Sequence, residues 1–118
     1  MRLEGYVEKG WGHEYIWVTN EDYCSKYLHF DTGGECSMHF HKDKREHWYV
    51  LSGNFEVHWI NTKDASIYVE SLEEGDAWEN APLVPHKIIC KVEGTILEVS
   101  TADTVEDNYR VVKGQSQE

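Results

Sequence analysis

Short, alternating segments separated by turn formers run the length of the chain, and that pattern leaves room for little except an all-β fold. Candidate strands span 13–19, 23–30, 36–41, 46–52, 54–60, 66–72, 86–92 and 95–101. Between them lie Asn20-Glu21-Asp22, Asp31-Thr32-Gly33-Gly34, Gly53-Asn54, Thr62-Lys63-Asp64, Glu73-Glu74-Gly75-Asp76 and Glu93-Gly94. Gly supplies positive φ in such turns, and Asn or Asp tolerates it. In 54–60, Phe55, Val57 and Trp59 share one face while Glu56 and His58 share the other, the two-residue period of a half-buried strand. Strands of this length and spacing predict a sandwich or barrel. No segment carries a helical apolar period, and the one helical expectation is a turn or two in the polar tail, 102–118.

At 118 residues the chain fits one domain, 1–118. With 40% apolar and 13% aromatic residues it can bury a core. Eleven Lys and Arg against twenty-two Asp and Glu give a formal charge of −11, which repels polyanions and argues against nucleic acid or an anionic membrane as partner. No apolar run reaches the roughly 18 residues of a membrane span. The start, Met1-Arg2-Leu3-Glu4-Gly5, lacks the apolar stretch of a secretory signal, so the expectation is a cytoplasmic protein. Cys24, Cys36 and Cys90 are odd in number and lack CxxC spacing, which predicts buried free thiols.

Chemistry concentrates in Gly33, His39, His41, Glu46 and Gly53, spaced G-x5-H-x-H-x4-E-x6-G. Residues i and i+2 of a strand point to one face, so His39 and His41 present two imidazoles side by side. The loop Lys42 to Arg45 returns the chain so that Glu46 begins the next strand nearby. His86 opens a later strand whose inner face is otherwise Ile88, Cys90 and Val92, an ionisable residue at the head of an apolar row. Three neutral imidazoles and one carboxylate suit one divalent transition ion: Zn, Mn, Fe, Co or Ni.

These residues resemble the two sequence motifs of the cupin superfamily. Motif one is complete over 33–53; motif two, 75–90, has Gly75-Asp76, Pro82, Pro85 and His86, with Val84 near the position of a glycine and Cys90 where an asparagine often follows. The resemblance implies a single-domain cupin, a double-stranded β-helix or jelly-roll barrel, with His39, His41, Glu46 and His86 as metal ligands. A closer likeness is to the cupin domain of type II mannose-6-phosphate isomerases. It is carried by Trp11-Gly12-His13-Glu14-Tyr15, Lys26, Glu46 to Gly53, Glu73 to Asp76, Pro85-His86-Lys87, Glu98-Val99-Ser100 and Glu106 to Arg110. That family typically has glutamine in place of His39 and an Arg-Ala pair in place of Lys44-Arg45, so the centre here is the fuller four-ligand one.

Lys26 shares a strand face with Cys24 and Leu28, where it either serves as a catalytic base or phosphate partner or snorkels to the rim. Trp48 and Trp78 are candidate walls of a sugar-sized cavity and Arg110 a candidate phosphate ligand. Lys87, next to His86, is expected to point away from the metal. The leading expectation is a sugar-phosphate isomerase with the metal as Lewis acid. Alternatives are a metal-dependent dioxygenase, decarboxylase or lyase, and a non-catalytic sugar-binding cupin. The expected partners are a small-molecule substrate and a second copy in a homodimer, with strand 13–19 as the edge to be covered.

Overall fold

The computed structural model describes residues 5–104, 106–112 and 114; the first four residues and the end of the tail, 115–118, lie outside them. Among the described residues eleven strands form two antiparallel sheets that face each other as a jelly roll. The first sheet runs β1 (Tyr6–Lys9), β2 (Gly12–Thr19), β3 (Tyr23–Phe30), β10 (Gly94–Thr101), β5 (Glu46–Val50) and β8 (Ala77–Asn80) in spatial order. The second runs β11 (Tyr109–Val112), β4 (Met38–Phe40), β9 (His86–Val92), β6 (Asn54–Asn61) and β7 (Ser66–Glu73). Among the described residues no helix is long and apolar enough to cross a membrane.

Strands β3 and β9 coincide with the segments expected at 23–30 and 86–92. Three short strands, β1, β8 and β11, had no counterpart in the alternation. Tyr109-Arg110-Val111-Val112 forms β11, where helix was expected. Its β-branched residues suit a strand, and it finds a partner in β4, with Tyr109 stacked on Phe40 at 5.1 Å. Strand β2 is not a free edge, because β1 pairs along it from Tyr6–Tyr15 to Lys9–Gly12.

The core sits at one end of the sandwich, where Phe30, Val50, Phe55, Val57, Ile88, Cys90 and Ile96 are almost fully buried. Phe30 meets Phe55 edge to face with ring centroids 5.5 Å apart. Gly53, which closes motif one, has φ 87°, and a Cβ there would fall 2.6 Å from the Val92 carbonyl oxygen. Glycine is thus needed both for the left-handed turn and for the close approach of the β9–β10 hairpin. Cys24, Cys36 and Cys90 are free thiols.

Candidate metal centre

Beyond the core the inner faces change character. His39 on β4 is the register partner of His86 on β9, and His41 follows His39 by two residues. The three rings form a tight group, with centroids 4.7 Å apart for His39–His86, 5.0 Å for His39–His41 and 6.0 Å for His41–His86. A ligand nitrogen from each lies within 4.8 Å of the others. Glu46, the first residue of β5, comes from the opposite sheet. Its Oε1 is 3.1 Å from His86 Nε2 and its Oε2 3.9 Å from His41 Nε2.

Each Nδ1 is held by a main-chain carbonyl: His39 by Ser37, His41 by Asp107 and His86 by Val84. A carbonyl only accepts, so each Nδ1 carries a proton and each Nε2 is the nitrogen left to face a cation. This is how protein scaffolds orient imidazole ligands. At His86, Nε2 faces the Glu46 oxygen at 3.1 Å, so a positive group belongs between them: a proton donated to the carboxylate in the metal-free protein, or a metal ion in its place. Two donors each about 2.1 Å from one ion and roughly at right angles lie close to that 3.1 Å separation. The donor set fits a transition ion.

Electrostatics keep His39, His41 and Glu46 in ligand form. Burial, with a smaller contribution from neighbouring His86, pushes the His39 imidazole down to about 3, and burial also lowers His41. Burial alone would raise the Glu46 carboxyl, but His86 and Lys44 outweigh it and hold it well below the usual carboxylate range. Cys36 lines the same cavity, where burial pushes its thiol up to about 12, and it is not among the clustered ligand atoms.

A cavity of about 550 Å³ opens from this cluster, and Lys26, Trp48 and Arg110 line it. Trp48 is buried, donates from Nε1 to Glu98 Oε1 at 3.0 Å and meets His86 edge-on. Trp78 does not line this cavity. It packs against the core beside Trp59 and donates to Asn80 Oδ1, which in turn positions Nδ2 3.1 Å from Glu46 Oε1. Lys26 points inward, as its strand face predicts, with Glu14, Glu98 and Asp103 all within 3.9 Å of Nζ. Burial alone would lower its ammonium, yet these carboxylates hold it above the ordinary lysine range. Lys87 points outward to Glu35 at 3.2 Å.

Four residues of the site were not foreseen. Lys44 is buried, although it sits in the loop before β5. Asp103 and Asp107 belong to the polar tail, and the Asp107 carboxylate accepts the amides of Lys42, Asp43 and Lys44, fixing the loop between His41 and Glu46. Glu98 lies on the inner face of β10 after Ile96, the same break in an apolar row that singled out His86. Motif two takes its left-handed turn at Leu83, φ 68°, whose amide donates to the His41 carbonyl at 2.7 Å.

Comparison with known proteins agrees with the fold. The Cupin domain family model matches residues 26–100. The chain belongs to the cupin family. No curated protein matches this cupin's sequence. Among solved structures, a variant of oxalate decarboxylase from Bacillus subtilis superposes with a TM-score of 0.77 at 22% identity, covering 89% of this chain and 29% of that one. KdgF from Halomonas sp. superposes with a TM-score of 0.68 at 18% identity, covering 90% and 87%. An RmlC-like cupin from Shewanella frigidimarina gives 0.66 at 24% identity, covering 80% and 78%. The cupin spans under a third of the oxalate decarboxylase chain, and at these identities the likeness is one of fold.

Proposed function

We propose that this cupin, as a single domain over 1–118, is a metal-dependent enzyme of carbohydrate metabolism, a cytoplasmic homodimer that isomerises a sugar phosphate of the mannose-6-phosphate type. The observation that carries this reading is the convergence of three oriented imidazoles, with Glu46 against two of them, beside a cavity of about 550 Å³, within the roughly 300–1,000 Å³ range of small-molecule sites. His39, His41, His86 and Glu46 hold one divalent transition ion, and Zn, Mn, Fe, Co and Ni all suit the donors. Such an ion supplies Lewis acidity toward a carbonyl and its neighbouring hydroxyl oxygen.

The other residues divide the remaining work. Trp48 walls the cavity beside His86. Arg110 lines the cavity from the exposed strand β11 and forms no ion pair among the described residues, so its guanidinium is available to a phosphate. Glu98 suits proton transfer better than Lys26. Burial and nearby Glu46 raise its carboxyl, and its Oε2 has no hydrogen bond, whereas the carboxylates around Lys26 keep that amine charged.

The test begins with metal content by inductively coupled plasma mass spectrometry, wild type beside His41→Ala. Near-stoichiometric transition metal in the wild type and its loss in the variant are expected. Absence of metal after reconstitution would sink the metal centre. Metal-loaded protein that leaves mannose 6-phosphate unchanged would sink the isomerase reading and direct assays to oxygenase, decarboxylase or lyase chemistry at the same four residues.

A further inference from the structure

Lys44 is 4% exposed, and its ammonium lies 3.1 Å from Glu46 Oε2. The other oxygen of that carboxylate is already engaged, 3.1 Å from Asn80 Nδ2 and 3.1 Å from His86 Nε2. Two further anions stand within reach of the same ammonium, Asp103 Oδ1 at 3.4 Å and Glu98 Oε2 at 3.6 Å. The placement is built rather than incidental. The Asp107 carboxylate pins three successive loop amides, Lys42 to Lys44, so the loop cannot swing the lysine out to solvent without giving up those bonds. Lys26 supplies an internal comparison: it lines the same cavity and shares Glu98 and Asp103, but its third anion is Glu14 rather than Glu46.

We propose that Lys44 tunes the metal centre by sharing the Glu46 carboxylate with the bound ion, weakening the ion's hold and leaving the loaded centre more positive. A dication with Glu46 alone carries a formal +1, and with the Lys44 ammonium on the same carboxylate the group carries +2. An electron-poor centre draws an anionic or oxygen-rich ligand more strongly, at the cost of looser retention of the ion. Glu98 and Asp103 give the ammonium a second seat as the ion takes its share of Glu46.

This inference rests on the metal reading above, and metal affinity of the full chain tests it. Mn²⁺ and Zn²⁺ are titrated in competition with a chromophoric chelator, comparing wild type, Lys44→Met and Lys26→Met. Lys44→Met is expected to tighten both ions about tenfold or more, the scale on which partners of metal ligands act. Lys26→Met, which removes the same charge without touching Glu46, is expected to change them by under roughly threefold. Equal tightening in the two variants, or none in Lys44→Met, overturns the role of Lys44 while the metal centre stands. Failure of the wild type to bind either ion overturns both. Should Lys44→Met not fold, Glu98→Gln carries the test. With its rival anchor gone, the ammonium settles on Glu46 and both ions bind more weakly; unchanged or tighter binding there refutes the proposal.

Discussion

The two ends of the sandwich interior are built from the same strands and have opposite chemistry. On β10, Ile96 faces Val50 of β5 and Leu28 of β3; two residues on, Glu98 faces Trp48 and Lys26; two more, and Ser100 faces Glu46. On β9 the inner row runs from Cys90 through Ile88 to His86. Strand alternation therefore decides only that a side chain points inward. Distance along the strand decides whether it enters the apolar end or the ionised one. The apolar end stabilises the fold through burial. At the other end Glu14, Glu46, Glu98, Lys26, Lys44 and the three clustered imidazoles are largely desolvated in or beside the cavity, at a cost that their mutual pairing offsets.

The sharpest way to break this contrast is at the apolar end. Phe55 is 1% exposed and packs edge to face against Phe30. Phe55→Ala should destabilise the protein by about 3–5 kcal/mol, through lost burial and a residual cavity. Urea unfolding of the metal-free protein measures this, and metal content per folded molecule should not change. A loss under about 1 kcal/mol would mean that the apolar end is not the main source of stability. Loss of metal from the folded fraction would mean that the two ends are not separable.

A smaller effect, confined to the ionised end, is the pH dependence of the metal-free protein. In the folded state His39 sits at about 3, below its unfolded value, so below pH about 6.5 the unfolded chain takes a proton that the folded chain refuses. Stability should fall as pH drops through that window, by up to about 1.4 kcal/mol per pH unit from this one residue. Glu98 acts with the opposite sign. Its carboxyl is raised by burial and Glu46, so its contribution grows as pH falls and offsets part of the loss. Comparing wild type with His39→Gln in excess chelator isolates the histidine: the acid-side slope should be shallower in the variant. Parallel profiles for the two proteins would contradict the assignment.

What the sequence disclosed, and what it did not, follows the same divide. His39, His41 and His86 were legible because strand geometry carries information: two imidazoles at i and i+2, and a third heading an apolar row. Glu46 was legible only through its spacing in the motif. Glu98 carried the same signal as His86, an ionisable group on an apolar face, and could have been found by it. Lys44, Asp103 and Asp107 could not, because loops and tails have no period. Their partners lie far along the chain: Asp107 binds the amides of Lys42 to Lys44 across more than sixty residues, and Lys26 reaches Asp103 across 77. Trp78 shows the opposite limit. It faces inward opposite Trp48, but packs away from the cavity, beside Trp59.

The smallest predicted effect tests alternation itself, at the residue where closeness in sequence and closeness in space disagree most. Lys87 adjoins His86, yet the strand turns it to the outer face, where its ammonium meets Glu35 at 3.2 Å and remains partly solvated. A pair of that kind contributes roughly 0–1 kcal/mol, screened further by salt. Lys87→Ala should therefore shift stability by no more than about 0.5 kcal/mol and leave divalent affinity within roughly twofold of wild type. Lys44→Met, two residues from Glu46 in sequence but in direct contact with it, is expected to do far more. A change in metal affinity on replacing Lys87 that rivals the Lys44 effect would show that charge near the centre acts regardless of face. In that case contact, which assigns the two lysines their different roles, would no longer distinguish them.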